Sequence, residues 1–304
     1  MNKVNVSKIH SLTGHNDCVY TLEASQYPNI FFSGAGDGMV ASWDLDDPEN
    51  GTLIAKLPNS IYGLHYARHE GLLVIGHNYD GIHLVDWENK KEVGSLNMTK
   101  SAIFDIQVAD GLVYIGDASG TITVVDMEKL VIVAKIHESD KSVRTIAINK
   151  STNEIAAGYS DHKTRIFDKA DFSLKHTIEG HSNSIFTIRY SPDERLLLTA
   201  GRDAHLKTWD VDAGYLAIQD IVAHMYAINN IDFSPDGKHF VTCSMDKSIK
   251  VWDAHSFKLL KVIDKARHAG HGTSVNKLLW SSHDDLLVSA SDDRTISVWD
   301  LEFE

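Results

Sequence analysis

The sequence predicts an all-β fold: seven four-stranded antiparallel sheets set around one axis, the N-terminal strand joining the last sheet. Three observations predict it. A Trp-Asp dipeptide, intact or degenerate, recurs seven times at near-constant intervals. A histidine recurs at a fixed distance ahead of the tryptophan. Short apolar runs separated by Asp-, Gly- and Pro-rich turns fill each interval.

The intact dipeptides are Trp43-Asp44, Trp209-Asp210, Trp252-Asp253 and Trp299-Asp300, and Val85-Asp86, Val125-Asp126 and Phe167-Asp168 fill the gap. Successive distances are 42, 40, 42, 42, 43 and 47 residues. A period of this length marks a repeat architecture. Length alone, at about 150 residues per domain, would suggest two domains, but seven copies leave no room for a second. Residues 1–304 are therefore expected to form one domain.

His15, His181, His224 and His271 each stand 28 residues before their own tryptophan. Four residues after each histidine comes an aliphatic residue, with apolar positions three and five further on, as in Ile185, Ile188 and Tyr190. The switch from a three-step to a two-step interval predicts a strand with a bulge near its start. In the fifth copy the strands read SIFTIRY, RLLLTAG, HLKTWDV and a weaker stretch around YLAIQDI. SPDE (191–194) and GRDAH (201–205) are the turns between them, rich in the residues hairpins require. Each sheet must bury both faces, which stacking around an axis achieves. No helical period competes.

Gly-His, the SPDG-like turn (SPDG itself at 234–237) and Trp-Asp, at these spacings, are together highly specific. Over essentially its whole length the chain resembles the WD-repeat β-propellers. The resemblance implies a seven-bladed propeller that serves as a rigid, non-catalytic platform for peptides and protein surfaces.

The last Trp-Asp is followed by only four residues, so the seventh copy lacks its outermost strand, and KIHSLTGH near the N-terminus matches SLKHTIEGH before the fifth repeat. Residues from about 3 to 12 are expected to supply the missing strand, removing an open edge. A free N-terminal arm is the alternative.

Composition narrows the function classes. Lys and Arg total 29 against 42 Asp and Glu, a formal net charge of −13. Such a chain repels nucleic acid unless a local basic patch overrides the field. Two cysteines cannot make a disulfide scaffold, and free thiols fit a reducing compartment, the cytoplasm or nucleus. The N-terminus has no apolar signal-like run, and no uncharged apolar stretch approaches the length needed to cross a bilayer.

Four repeats align a hydroxyl, an imidazole, a carboxylate and an indole: His15, Ser33, Asp37 and Trp43; His181, Thr199, Asp203 and Trp209; His224, Thr242, Asp246 and Trp252; His271, Ser289, Asp293 and Trp299. The first three residue types invite a hydrolase reading. The stronger reading is structural: the hydroxyl accepts from the buried indole, the imidazole bonds the hydroxyl, and the carboxylate orients the imidazole. The WD family is known for this arrangement. Blades 2 and 3 replace the hydroxyl by Ile75 and Ile115, the indole by Val85 and Val125, and the imidazole by Leu57 and Thr99. Blade 4 has Ala157, Phe167 and Ser139, keeping only Asp161. The group leaves together, as expected where a half-satisfied buried network is worse than an apolar one. No catalytic residue is assigned.

Nothing reads as a nucleotide, metal or cofactor site. GAGDG (34–38) lacks the phosphate-loop spacing and a following helix. His65, His69, His77 and His83 gather in blade 2 without Cys or carboxylate partners at ligand spacing, and are read as solvated. His268 lies close to His271, but the tetrad already occupies His271.

A partner surface is expected at the residue after each blade's first aliphatic position, pointing to the channel mouth: Tyr20, Tyr62, Phe104, Arg144, Phe186, Asn229 and Asn276. Aromatic rings and an Arg in consecutive blades suit an interaction patch. Arg202 and Met245, in hairpins on the same face, extend it. DKARHAG (264–270), an insertion before His271, adds a locally basic loop. The expected function is a monomeric, non-catalytic scaffold within a larger complex, binding a peptide or protein loop and neither nucleic acid nor membrane. The alternatives are a propeller enzyme with its active site at the channel, or a module recognising RNA or a ubiquitin-like protein.

Overall fold

Seven four-stranded antiparallel sheets account for the chain in a computed structural model that describes residues 4–304. Each is a meander of consecutive strands except the last, in which the N-terminal strand Val4–Leu12 lies outermost, beside Ile296–Phe303. This is the seven-bladed β-propeller that the repeat predicts. Lys3, the first residue assigned to the closing strand, lies outside the described residues. The chain divides into two compact units, blades 1, 6 and 7 (residues up to Ile61 and from His224) and blades 2–5 (Tyr62–Ala223).

In the three-blade unit, blade 1 comprises Val19–Ala24, Ile30–Ala35, Met39–Asp44 and Thr52–Lys56. Blade 6 comprises Ile228–Phe233, His239–Ser244, Ile249–Asp253 and Leu259–Ile263, and blade 7 begins with Val275–Trp280 and Leu287–Ser291. Leu12 pairs with Ile296, Lys8 with Trp299 and Val4 with Phe303. Val4 and Leu12 are buried, so the strand contributes apolar contact as well as a hydrogen-bond ladder. The insertion before His271 is a single helical turn, Lys265–His268, capped by Asp264. Its basic character is partly neutralised, because Arg267 donates to Asp264 at 2.6 and 2.9 Å.

In the four-blade unit the first strands are Leu64–Ala67, Ile103–Ala109, Val143–Asn149 and Ile185–Tyr190. Apolar residues on second and third strands, such as Tyr114, Ile155 and Phe167, are fully buried between sheets. Polar side chains stitch neighbouring blades: Asp105 accepts the Ile146 amide at 2.6 Å, and Thr145 accepts that of Ile188 at 3.3 Å.

The expected bulge is present in six blades. The ladder skips one residue between Val19 and Thr21, Ile103 and Asp105, Val143 and Thr145, Ile185 and Thr187, Ile228 and Asn230, and Val275 and Lys277. The skipped residues are Tyr20, Phe104, Arg144, Phe186, Asn229 and Asn276. In blade 2 the ladder starts only at Leu64, leaving Tyr62 ahead of the strand. An extra residue in a bulge leaves the ladder and re-aims its side chain, which explains why these positions do not follow the strand's inside–outside alternation.

Candidate interaction face

Each tetrad forms a continuous hydrogen-bond chain. In blade 5, His181 Nδ1 lies 2.9 Å from Asp203, its Nε2 2.8 Å from Thr199 Oγ1, and Trp209 Nε1 donates to the same Oγ1 at 2.9 Å. Blade 6 repeats this through His224, Asp246, Thr242 and Trp252 at 2.8, 2.7 and 2.9 Å. Blade 7 does so through His271, Asp293, Ser289 and Trp299 at 2.9, 2.8 and 2.8 Å. Blade 1 is looser at the carboxylate, 3.2 Å from His15 to Asp37, with 2.7 and 2.8 Å at Ser33. One proton placement satisfies every atom. Nδ1–H donates to the carboxylate, the hydroxyl donates to bare Nε2, and the hydroxyl oxygen accepts from the indole. Ser33, Thr199, Thr242 and Ser289 are all 0% exposed, so no substrate reaches the hydroxyls.

Burial acts on the titration of these groups. It is the largest influence on His15 and His224 and holds both below the ordinary histidine value, outweighing the attraction of Asp37 and Asp246. Burial alone would raise Asp203, but the hydrogen bond and charge of His181 and two backbone amides hold it down at about 2. The sign is the same for all three: below the unfolded-state value, only the unfolded chain gains the proton. The stabilisation is thus full above pH 6.5, declines through His15 and His224 as pH falls below it, and declines again below 3.8 through Asp203. Denaturant unfolding should accordingly show lower stability at about pH 5.5 than at about pH 7.5. Equal stabilities at these two values would contradict the neutral, buried imidazoles.

The degenerate blades are apolar where expected: Ile75, Ile115, Val125, Ala157 and Phe167 are fully buried and Val85 nearly so. Polar pairs nevertheless rebuild the outer end of the group. Thr99 donates to Asp117 at 2.8 Å in blade 3. In blade 4, Arg165 grips Asp161 with two bonds of 3.1 and 2.7 Å and stacks 4.4 Å from the Tyr159 ring. In blade 2, His77 Nδ1 lies 3.2 Å from both His83 and Asp80. That corrects the reading of His77 and His83 as solvated and lacking a carboxylate partner. Asp80 lies in the hairpin between them, and both histidine side chains are mostly buried.

The bulge residues of the four-blade unit converge. The Tyr62 and Phe104 rings lie 5.9 Å apart, tilted by 43°. The Arg144 guanidinium sits between two rings, 3.9 Å from the Phe104 centroid and 4.9 Å from that of Phe186. Cation–π attraction holds it there. Tyr62, Phe104, Arg144 and Phe186 are all half-buried rather than fully solvated. Burial lowers the Arg144 pKa, with only Tyr62 acting against it, and Nε is buried with no hydrogen-bond partner. No carboxylate pairs with Arg144 among the described residues.

The other expected positions divide. Tyr20, in the three-blade unit, is half-buried at the matching bulge. Arg202 and Met245 are exposed at their hairpins. Asn229 donates to Ser274 and to the Val275 carbonyl, and Asn276 donates to the Val19 carbonyl and to Asp292. These amides tie blades together. Asp232, also in the three-blade unit, accepts the Trp280 amide at 2.8 Å.

The WD domain, G-beta repeat family model matches residues 6–44, 172–210, 217–253 and 262–300, just over half of the chain. The chain belongs to the WD-repeat family. The unmatched stretch between residues 44 and 172 contains the blades whose tetrads are replaced. Among solved structures, the crystallised WD40 β-propeller domain of Doa1 superposes with a TM-score of 0.86 at 18% identity, covering 98% of this chain and 97% of that one. At that identity the likeness shows the fold.

Among curated relatives, a WD repeat-containing protein WDS homolog of Arabidopsis thaliana is 44% identical over 52 residues, 17% of this chain and 10% of its own length. Periodic tryptophan protein 2 of Saccharomyces cerevisiae is 21% identical over 67% of this chain and 21% of its own. The serine-threonine kinase receptor-associated protein of Rattus norvegicus is 27% identical over 66% of this chain and 57% of its own. The WD-repeat chain thus spans well under two thirds of these relatives. WD-repeat propellers are in general non-catalytic scaffolds, and the tetrads here present no accessible nucleophile.

Proposed function

We propose that this chain is a non-catalytic scaffold that binds an extended peptide or protein loop bearing a carboxylate, seated on Tyr62, Phe104, Arg144 and Phe186. The observation that carries the reading is the Arg144 guanidinium, 3.9 and 4.9 Å from two ring centroids, with a buried, unpartnered Nε and no carboxylate paired with it among the described residues. A planar guanidinium is suited to bidentate recognition of a carboxylate, and the flanking rings supply apolar contact of the kind that anchors interfaces. Arg202, exposed at the blade 5 hairpin, extends the same reading within the four-blade unit, and Tyr20 and Met245 are contact residues of the three-blade unit in their own right. The propeller acts as a monomer inside a larger assembly in the cytoplasm or nucleus, a setting that the two free cysteines favour. The net charge of −13 weighs against nucleic acid as the partner.

The test compares partner recovery by the wild-type chain with recovery by Arg144→Gln and by the Tyr62→Ala, Phe104→Ala pair. Half-buried rings in tilted contact make the pair cost about 1–2 kcal/mol in stability, small enough to leave the blades folded. Partner binding is expected to fall by more than about 2 kcal/mol in the pair, and Arg144→Gln should remove most of the salt dependence. Folded variants that recover the same partners as wild type would move the binding site off these four residues.

A further inference from the structure

One cluster in blade 2 stands where the tetrad is replaced and is no part of the arc around Arg144. We propose that His77, Asp80 and His83 form a binding site for one divalent transition-metal ion of the zinc class. Among the described residues, they are the one group of three His, Cys, Asp or Glu side chains whose ligand atoms all lie within 4.8 Å of one another.

The spacing of the atoms fits such an ion. Zinc bound by His and Asp at about 2.0–2.1 Å in a tetrahedron sets its ligand atoms about 3.3 Å apart. His77 Nδ1 lies 3.2 Å from His83 Nε2 and 3.2 Å from Asp80 Oδ2. His83 Nδ1 lies 3.1 Å from Glu92 Oε2. A carboxylate on the far ring nitrogen of a metal-ligating histidine fixes its tautomer and aims the other nitrogen at the ion. With Nδ1–H donated to Glu92, His83 Nε2 is bare. His77 Nδ1 then faces two acceptors, His83 Nε2 and Asp80, and its single hydrogen can serve only one of them at a time. A cation at the centre satisfies all three atoms.

The local backbone is built to hold this geometry. His77 ends the second strand, Leu72–His77, and His83 lies on the third, Gly81–Asp86. Asp80 sits in the turn between them, its amide bonded to the His77 carbonyl at 3.2 Å. The Asp80 carbonyl accepts from the amides of Met98 and Thr99, pinning the turn to the outer part of the blade. At Gly81 a Cβ would lie 1.8 Å from the Leu96 carbonyl oxygen, so only glycine allows the approach. The side chains of His77, His83 and Asp80 are 11%, 15% and 30% exposed. An ion held by the three would therefore keep a position open to water or to a donor from a partner. Two imidazoles and one carboxylate favour zinc, cobalt or nickel over magnesium and calcium, which prefer oxygen ligands.

The full chain, free of any affinity tag and stripped with a chelator, would be titrated with cobalt(II) while its visible absorbance is read. The expected result is a saturable band at one ion per chain, displaced by zinc and not by excess magnesium or calcium. Glu92→Gln should weaken binding about 10–100-fold by releasing His83. His83→Gln and Asp80→Asn should abolish the band, while His69→Gln, at an exposed position, should leave it unchanged. Melting curves of the Asp80→Asn and Glu92→Gln chains check that the blade stays folded. No saturable band in the wild-type chain, or a stoichiometric band that survives His83→Gln, would overturn the site.

Discussion

A chain lacking residues 1–12 is expected to lose about 5 kcal/mol or more, comparable with the whole stability of a typical domain, and to aggregate. The strand Val4–Leu12 pairs with Ile296–Phe303 along its length. Its removal strips the buried side chains Val4 and Leu12 from the last blade. It also bares a long ladder edge on Ile296–Phe303, a template for pairing with a second chain. Both losses fall in the three-blade unit, since the two strands belong to it. Denaturant unfolding and light scattering of the two chains measure the two effects separately. A truncated chain with full-length stability would mean that Val4–Leu12 does not complete the blade in solution.

His181→Ala is the point substitution expected to cost most, about 3–5 kcal/mol, because it leaves a buried carboxylate without its partner. Thr199, fully buried, would lose its acceptor in the same step. Trp209→Phe removes one donor and leaves the His181, Thr199 and Asp203 contacts in place, so about 1–3 kcal/mol is expected. Blade 4 supplies a control within the same molecule, where Ser139, Ala157, Arg165 and Phe167 stand at the positions of His181, Thr199, Lys207 and Trp209. Carrying those four residues into blade 5 should destabilise less than His181→Ala alone, since Asp203 would then meet an arginine as Asp161 does. If the fourfold variant proved the less stable of the two, the cost would lie in packing around the indole rather than in the stranded carboxylate.

The repeat was legible in the sequence because four chemically unlike residues must meet at fixed strand positions, and their spacing survives in plain view. The bulge was legible for a related reason, as an interval of three inside a strand of period two. The polar pairs that rebuild the outer end of the group in blades 2–4 were not legible. Arg165 reaches Asp161 from the third strand, not from the loop that carries the histidine elsewhere, so alignment to the histidine position finds only Ser139. Asp80 was missed likewise: it occupies the position of Gly38 in blade 1, where no side chain exists to suggest a partner. The arc residues could be named, but not their stacking. Whether Arg144 extends into water or lies between Phe104 and Phe186 depends on side-chain torsions that no periodicity encodes. Asn229 and Asn276 looked equivalent to the aromatics by position, yet their short amides are bonded to nearby backbone and side-chain oxygens.

The skipped residue at the head of six first strands has a consequence for how such a molecule can change. A side chain outside the ladder contributes nothing to register, so its identity is not dictated by the pairing that folds the blade. Tyr, Phe, Arg and Asn all occupy this place in one chain without altering the strand that follows. Each of these six blades therefore carries one position at which chemistry can be rewritten while the scaffold stays constant. A library varied only at Tyr20, Phe104, Arg144 and Phe186 should return mostly folded chains with different tastes in ligand, whereas the same substitutions one residue later, at Thr21, Asp105, Thr145 and Thr187, would fall inside the paired strand.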